Sequence, residues 1–321
     1  MYLKHFGLDR NPFSLSTEPQ CMYYSASHCE AAAHLLFAVR ERKGIALLMG
    51  EPGTGKTTLL RTLLEMLRSA EVVPSIILNP MLNSAQDLLT SILTGFQLTP
   101  SSRSPAELMN VLFEHLENQL RLGRRPLLVV DEAQQLSAST LEHLRLISNL
   151  ESGGQRLLQV VLSGQPEIRS TLAEPQHSGL RQRIVVRSEI RRLATGEVWE
   201  YLALRATRAG SDGRPLFQAS AVDALTAASG GIPRIINVLA DNSLIAAYSG
   251  GQATVSGEHV CSMARHFELP VPELSVRIDT VGVQDMARRD EQWKALVKGF
   301  AGYEIPPALR EFTRSMMGKT A

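Results

Sequence analysis

The sequence predicts an α/β fold with a five-stranded parallel sheet, followed by a small all-helical domain. Three observations predict it. Five short apolar runs alternate with segments of helical spacing over about residues 1–190. A glycine-rich loop follows the first run, and after residue 190 the strand pattern stops while helical patterns continue. This alternation is typical of parallel sheets whose strands are joined by helices.

The five runs are short, apolar and rich in leucine or β-branched residues, as buried parallel strands are. They are IALLM (45–49), SIIL (75–78), LLVV (127–130), LLQVVL (157–162) and IVV (184–186). Between them, apolar residues recur with the period of an amphipathic helix, for example over 59–67 and 108–120. Residues 1–190 are therefore predicted to form one α/β domain.

Residues 191–267 are predicted to form the helical domain. Ser220 begins a capping-box pattern, Gly230 can end that helix, and Pro233 can occupy the first turn of the next one. Beyond this domain, the segment FELPVPEL is rich in proline. Residues 268–321 are therefore predicted to be a linker and a helical C-terminal tail.

Composition limits the class of protein. The chain has 33 Lys and Arg against 32 Asp and Glu, so its formal net charge is +1, and any binding to nucleic acid or anionic membrane must come from a local patch. The N-terminus lacks the apolar core of a signal peptide, and no window is apolar enough for a membrane span. We therefore expect a cytoplasmic protein without direct membrane insertion. Cys21, Cys29 and Cys261 lack the spacing of a disulfide framework or zinc site.

The stretch GEPGTGKTTLL (50–60) matches the phosphate-binding pattern G-x-x-x-x-G-K-[ST]. In this pattern, backbone N–H groups surround phosphate oxygens at a helix N-terminus. Lys56 places a positive charge beside the β- and γ-phosphates, and Thr57 offers its hydroxyl to Mg²⁺. A predicted strand precedes the loop and a helix follows it, as the motif requires. The predicted binding residues are Gly50, Glu51, Pro52, Gly53, Thr54, Gly55, Lys56, Thr57 and Thr58.

The stretch LLVVDE (127–132) supplies a second acidic motif at the end of a predicted buried strand. Asp131 can hold the Mg²⁺ shell, and Glu132 can orient or deprotonate an attacking water. Together with the glycine loop, these carboxylates predict hydrolysis of the bound nucleotide rather than binding alone. The alternative for Glu132 is a solvated helix start.

The stretch SGQPE (163–167) follows the fourth predicted strand, where a polar side chain can sense the γ-phosphate. Ser163 and Gln165 are both candidates. The alternative is ordinary turn chemistry, with Pro166 beginning a helix.

The stretch LRQRIVVRSEIRR (180–192) is dense in arginine. Arg181 or Arg183 can reach the γ-phosphate of a neighbouring subunit, where a guanidinium stabilises charge on the transferred phosphoryl group. The alternatives are a solvated, charged strand end or a contact to a DNA backbone.

The stretch GGIPRIIN (230–237) places Arg234 in the first turn of a predicted lid helix. A cation on a separate small domain can contact the γ-phosphate only when that domain closes, so its position depends on the nucleotide. The alternative for Arg234 is a structural salt bridge.

With these motifs in this order, the sequence resembles the ExeA/GspA-type ATPases of the AAA+ superfamily. The likeness covers about residues 1–265 and rests on YLKHFGLDRNPFSLSTEP, GEPGTGKTTLLR, ILNP, LLVVDEAQQLS, LLQVVLSGQPE, LRQRI and GGIPRIINVLADNSLIAAY. It implies a P-loop AAA+ core with a helical lid, ATP bound with Mg²⁺ at subunit interfaces, and assembly into a homo-oligomeric ring or filament. Carried over by position, Lys56, Thr57, Asp131 and Glu132 are the nucleotide and metal residues, Arg181 or Arg183 a trans-acting finger, and Arg234 the lid sensor.

The sequence departs from this family at its C-terminal end. Founding members of the family continue into a transmembrane helix and a peptidoglycan-binding domain, and residues 268–321 resemble neither.

Two functions stay open. One is an ATPase that acts on a protein partner in secretion or cell-envelope assembly. The other is an ATP-gated regulator of transposition that binds duplex DNA and a transposase, which the arginines of 121–125 and 180–192 favour.

Overall fold

The computed structural model describes residues 2–16, 22–67, 71–78, 80, 82, 84–100 and 104–271. There the chain divides into two compact units. The sheet unit comprises the described residues of 27–52 and 56–190, and the helical unit comprises those of 1–26, 53–55 and 191–271. Residues 272–321, which hold most of the predicted C-terminal tail, lie outside the described residues, and so does Cys21.

A five-stranded parallel sheet forms the centre of the sheet unit within the described residues. The strands of this unit are, in chain order, β1 (Ile45–Gly50), β2 (Val72–Ile77), β3 (Arg125–Val130), β4 (Glu151–Ser152), β5 (Gln155–Arg156), β6 (Gln159–Gly164) and β7 (Ile184–Ile190). The sheet has the order β2-β3-β6-β1-β7, and β4 and β5 pair separately as an antiparallel hairpin. The predicted fold class, including the number and direction of the strands, is confirmed.

Four strands, β1, β2, β3 and β7, are longer than the apolar runs that predicted them. The two at the edges of the sheet, β2 and β7, gain the most residues at one end. β2 begins at Val72 and contains Pro74, which an edge strand tolerates. β7 continues to Ile190 through the exposed residues Arg187 and Glu189. An edge strand is only half covered, so its residues alternate between buried and exposed. In β7, a search for continuous apolar runs misses the polar residues of that pattern.

Helices cover the sheet and supply most of its core. They are α2 (Ala26–Arg40), α3 (Lys56–Leu67), α4 (Ala85–Gly95), α5 (Pro105–Arg121), α6 (Ala138–Ile147), α7 (Ile168–Ala173) and α8 (Ser178–Arg183). Leu88, Leu112 and Leu141, from three of these helices, are fully buried in one cluster with Leu128 of β3 and Leu162 of β6. The central strands are therefore covered by apolar side chains, and only their ends are free to carry polar groups.

The helical unit is built from α9 (Thr195–Arg208), α10 (Ala219–Ser229), α11 (Pro233–Ser249) and α12 (Gly257–His266), together with the short N-terminal α1 (Tyr2–His5). Val198, Val222, Leu239 and Val260 are fully buried at its centre. No helix in the ranges that the structure describes is long and apolar enough to cross a lipid bilayer.

The N-terminal segment packs within the helical unit, whereas the sequence reading assigned it to the α/β domain. Leu8 and Phe13 are buried in the core of the helical unit, and the Phe13 ring stands edge-on to Phe217 at 5.6 Å. The guanidinium of Arg205 donates to the carbonyl oxygen of Ser14 at 2.7 Å. A short segment with scattered apolar residues carries no periodic signal that identifies the core it joins. A further boundary between the two units lies between Ile190 and Arg191.

Helix ends in the helical unit follow the sequence signals in two of three cases. Pro233 begins α11, and Gly230 follows α10 in the left-handed conformation with φ 57°, as predicted. The capping box at Ser220 is wrong, because α10 already begins at Ala219. The Ser220 hydroxyl instead accepts a hydrogen bond from the N–H of Gly257 at the start of α12.

Candidate nucleotide site

The predicted phosphate-binding loop joins the end of β1 to the start of α3. Gly53 and Gly55 have φ values of 80° and 103°, in the region that favours glycine, and Thr54 between them is buried. The remaining predicted loop residues are Gly50 at the end of β1, Glu51 and Pro52 in the loop, and Thr58 in the first turn of α3. The motif therefore lies at a helix N-terminus, where N–H groups are available to phosphate.

Lys56 is buried, although it carries an amine. Its Nζ donates to the carbonyl oxygens of Gly50 at 2.7 Å and Glu51 at 3.0 Å, and only 5% of the residue is exposed. Burial lowers the pKa of Lys56, and the nearby carboxylates of Glu132 and Asp131 oppose that effect. A phosphate group in the loop would supply a further negative charge beside this amine.

The two predicted metal residues are in direct contact. Thr57 donates its hydroxyl to Oδ2 of Asp131 at 2.6 Å, and Asp131, immediately after β3, is 3% exposed. The other oxygen, Oδ1, accepts the N–H of Glu132 at 3.0 Å. A hydroxyl and a carboxylate are oxygen donors of the kind that Mg²⁺ prefers, so this pair fits the metal.

Glu132 follows Asp131 with φ 52° and ψ 39°, a left-handed conformation that is uncommon for a residue with a side chain. Its Oε2 accepts hydrogen bonds from two side-chain amides, Gln134 Nε2 at 2.6 Å and Gln165 Nε2 at 3.2 Å. The predicted alternative was a solvated helix start. Glu132 does precede a short 3-10 turn, but its carboxylate is hydrogen-bonded to protein groups.

Ser163, one of the two candidate phosphate sensors in SGQPE, lies inside the sheet. It is fully buried near the end of β6, opposite Leu48 of β1, and its hydroxyl has no hydrogen-bond partner among the described residues. Buried polar atoms are normally satisfied, so an orphaned hydroxyl beside a phosphate loop is a candidate ligand contact. The side chain of Gln165, the other candidate, donates a hydrogen bond to the carboxylate of Glu132.

Arg181 and Arg183 are not brought to this site within one chain. Both lie in the last turn of α8, just before β7. In the parallel pairing of β7 with β1, Ile184 lies beside Ile45 and Ile190 beside Gly50. The two arginines therefore lie at the opposite end of the sheet from the glycine loop. Arg181 is exposed and donates to the carbonyl oxygen of Ala173 at 3.3 Å.

Arg234 lies in the first turn of α11, and residues 53–55 of the glycine loop belong to the same unit. Its backbone N–H donates to the carbonyl oxygen of Gly53 at 3.3 Å. A Cβ placed on Gly53 would lie 2.7 Å from the Cβ of Arg234, so this approach requires glycine. The Arg234 side chain is exposed and forms no salt bridge with any described residue.

Sequence reasoning missed Gln134. This residue lies two positions after Glu132, where the sequence reads DEAQQ, and the side chain contacts the Glu132 carboxylate. The signal was weak, because glutamines at a turn are usually solvated. The contact becomes visible only in the structure, where Gln134 lies beside the end of the neighbouring strand β6.

The fold and this site define the class of protein: the chain carries a P-loop domain of the AAA+ type. Residues 39–172 match the family model described as AAA domain. The general secretion pathway protein A of Aeromonas hydrophila is 42% identical over 252 residues, which are 78% of this chain and 46% of that protein. The resemblance to ExeA/GspA-type ATPases that the motifs predicted is thereby confirmed.

Two further similarities are more distant. The ATP-dependent target DNA activator B of Escherichia phage D108 is 30% identical over 130 residues, 40% of this chain and 38% of that protein. Cdc6p of Pyrobaculum aerophilum has a solved structure with a TM-score of 0.62 and 18% identity, covering 79% of this chain and 70% of that one. This structural likeness shows the fold alone. The chain spans less than half the length of the two curated relatives.

Proposed function

We propose that this chain binds ATP with Mg²⁺, hydrolyses it, and uses the resulting conformational change to act on a protein partner in secretion or cell-envelope assembly. The observation that carries the proposal is the contact between Thr57 and Asp131 directly beside Lys56 and Glu132. Each of these residue types has a role in phosphoryl transfer, and they meet where α3 begins and where β3 ends. The envelope pathway is supported by the similarity to general secretion pathway protein A.

The proposed roles follow from the chemistry of each group. Lys56 and the loop N–H groups bind the phosphates, while Thr57 and Asp131 hold Mg²⁺. When bound, Mg²⁺ would neutralise charge on the phosphate oxygens. Glu132 accepts a proton from the attacking water, and the buried hydroxyl of Ser163 contacts the γ-phosphate. Arg234 acts as the lid sensor through its exposed side chain.

Assembly into a homo-oligomer is part of the proposal. Arg181 and Arg183 lie at the amino end of β7, away from the glycine loop of their own chain. A phosphate contact by either arginine therefore requires the loop of another subunit. A ring or filament in which one chain presents α8 to the next supplies that arrangement.

Phosphate release from ATP tests the core of the proposal. Wild type should show Mg²⁺-dependent turnover, and Lys56→Ala should abolish nucleotide binding or turnover. Glu132→Gln should retain ATP binding while losing about a hundredfold or more in turnover, because general-base catalysis contributes about 10²–10⁴-fold. Glu65→Gln, the same change at an exposed position of α3, is the matched control and should behave as wild type. Equal turnover in wild type and Lys56→Ala would exclude the assignment.

A second candidate function is ATP-gated binding of duplex DNA in transposition. A basic cluster on the sheet unit supports it, formed by Arg42, Lys43, Arg124, Arg125 and Arg156. The guanidinium of Arg42 donates to the carbonyl oxygens of Arg124 at 3.2 Å and Arg156 at 3.3 Å, and Arg156 donates to that of Lys43 at 2.6 Å. Burial lowers the pKa of Arg42, and the nearby positive charge of Arg125 lowers it further.

The basic cluster concentrates positive charge that the net charge of +1 does not reveal. Its members come from separate places in the sequence, and only 124–125 belong to the arginine-rich run noted above. Closely spaced guanidinium groups suit a phosphate backbone. The similarity to a phage target DNA activator supports the same candidate.

Fluorescence anisotropy of labelled duplex DNA separates the two functions. Glu132→Gln protein is titrated with and without ATP at about 150 mM salt, which limits nonspecific phosphate binding. ATP-dependent binding that is lost in Arg124→Glu, Arg125→Glu protein would favour the DNA function. The exposed residue Arg214 provides a charge-reversal control outside the cluster. Absence of DNA binding both with and without ATP would favour the first function, in which the ATP-driven conformational change acts on a protein partner.

A further inference from the structure

The side chain of Gln134 bridges two strand ends. Its Nε2 donates to Oε2 of Glu132 at 2.6 Å, just after β3. Its Oε1 accepts the backbone N–H of Gln165 at 3.0 Å, just after β6. The carboxamide thus uses a donor on one side and an acceptor on the other, and its two partner residues come just after two neighbouring strands of the sheet.

Gly164 makes room for this bridge. It is buried at the end of β6, and a Cβ placed on it would lie 3.0 Å from Oε1 of Gln134. That separation is shorter than an ordinary carbon–oxygen contact of about 3.3–3.6 Å. A side chain at residue 164 would therefore displace the Gln134 carboxamide or the strand end.

Glu132 requires support from its surroundings. Its backbone has φ 52°, and residues with a side chain persist in that region only where neighbouring groups hold them there. The carboxylate receives its two side-chain hydrogen bonds at one oxygen, Oε2, from Gln134 and Gln165. Within the described part of the chain, no residue donates to Oε1, so that oxygen can accept a water proton.

We infer that Gln134 is the positioning residue for Glu132: it fixes one carboxylate oxygen, orients the other toward solvent, and ties this orientation to the end of β6. The inference rests on the proposed function, because orientation of Glu132 affects turnover only if Glu132 is the base. Gln134 itself does not accept a proton. It acts by holding the base in a productive geometry, and a misplacement of about 1 Å can cost about a hundredfold in rate.

Two substitutions at residue 134 separate the donor from the acceptor. Gln134→Met removes both functions at similar volume. Gln134→Glu keeps an oxygen that can accept from Gln165 and replaces the donor to Glu132 by a carboxylate oxygen. If Gln134 positions Glu132, both variants should lose about ten- to a hundredfold in kcat. The ATP affinity and KM should stay within about twofold of wild type, because the loop and Lys56 are untouched. If Gln134 only ties the strand ends together, Gln134→Glu should keep wild-type kcat.

The neighbouring residue Gln135 provides the matched control. It is exposed, and the same changes, Gln135→Met and Gln135→Glu, should leave kcat and ATP affinity unchanged. A wild-type kcat in both Gln134 variants, beside an active wild type, would overturn the positioning role alone. Absence of Lys56-dependent turnover in wild type would overturn the proposed function, and the positioning role with it.

Thermal unfolding of the nucleotide-free protein gives a readout that does not depend on turnover. The melting temperatures of wild type, Gln134→Met, Glu132→Ala and the double variant form a double-mutant cycle. Because the two side chains share a hydrogen bond, the double variant should lose less than the sum of the single losses. Strictly additive losses would show that the two residues do not interact in solution and would contradict the inference.

Discussion

Removal of the Thr57 hydroxyl is the sharpest test of the metal pair. Thr57→Val keeps the shape of the side chain but deletes the donor to Asp131, which lies 2.6 Å away and is 3% exposed. A hydrogen bond to a charged group contributes about 1.5–3 kcal/mol. We therefore expect the free energy of unfolding of the nucleotide-free protein to fall by about 1.5–3 kcal/mol, because the buried carboxylate loses its hydroxyl donor.

Thr57→Ser is the matched variant, because it keeps the hydroxyl and loses only a methyl group. Its free energy of unfolding should fall by less than about 1 kcal/mol, because Thr57 is only partly buried and about 0.8 kcal/mol is the contribution of a fully buried methylene group. Both values come from urea denaturation followed by circular dichroism, since helices of both units contribute to the signal. The same three proteins are then titrated with a fluorescent ATP analogue, with and without Mg²⁺.

The nucleotide titration should separate the variants further. Wild type and Thr57→Ser should bind the analogue more tightly with Mg²⁺ than without it, whereas Thr57→Val should show little effect of Mg²⁺. Equal stability of Thr57→Val and wild type, together with an unchanged effect of Mg²⁺, would refute the reasoning. The hydroxyl would then neither support Asp131 nor contribute to the metal site.

Three further predictions follow from other contacts. Arg181→Ala or Arg183→Ala should lose turnover of ATP while retaining ATP binding, and wild-type turnover in both would contradict a trans-acting finger. Burial lowers the pKa of His115 from its ordinary value of 6.5, so the folded state favours the neutral ring. Stability should therefore fall as the pH drops below about 6.5, and His115→Leu should flatten that fall in urea midpoints measured between pH 5 and 7, unlike the exposed control His266→Leu. Gly164→Ala should lower kcat with little change in ATP affinity, whereas a wild-type kcat would show that the strand end adapts.

The sequence was most informative where chemistry depends on neighbours along the chain. The glycine loop lies between a strand and a helix, and the acidic pair directly follows a strand, because each motif depends on a strand end or a helix start within a few residues. The contact between Thr57 and Asp131 could be expected because parallel strands end at one edge of a sheet. Their roles in binding and catalysis stay predictions for the assays above.

The sequence was least informative where a residue depends on tertiary structure. Phe13 reads as an apolar residue in an irregular segment, and nothing local shows that it packs against Phe217 in the helical unit. The basic cluster is likewise assembled from three separate stretches of chain, so the near-neutral composition conceals it. The edge strand β7 was predicted too short because its second half contains the polar residues Arg187, Ser188 and Glu189.

Gln134 and Gly164 show why the geometry of a hydrolytic site is harder to predict than its location. In the sequence, DEAQQ and SGQPE are separate and each suits an ordinary turn. In the structure, the absence of a side chain at 164 gives the carboxamide of 134 the space to bridge from Glu132 to Gln165. The position of Glu132, the proposed base, therefore depends on a pair of residues of which neither carries a charge. A search for charged or nucleophilic groups passes over such residues, although they decide where the carboxylate points.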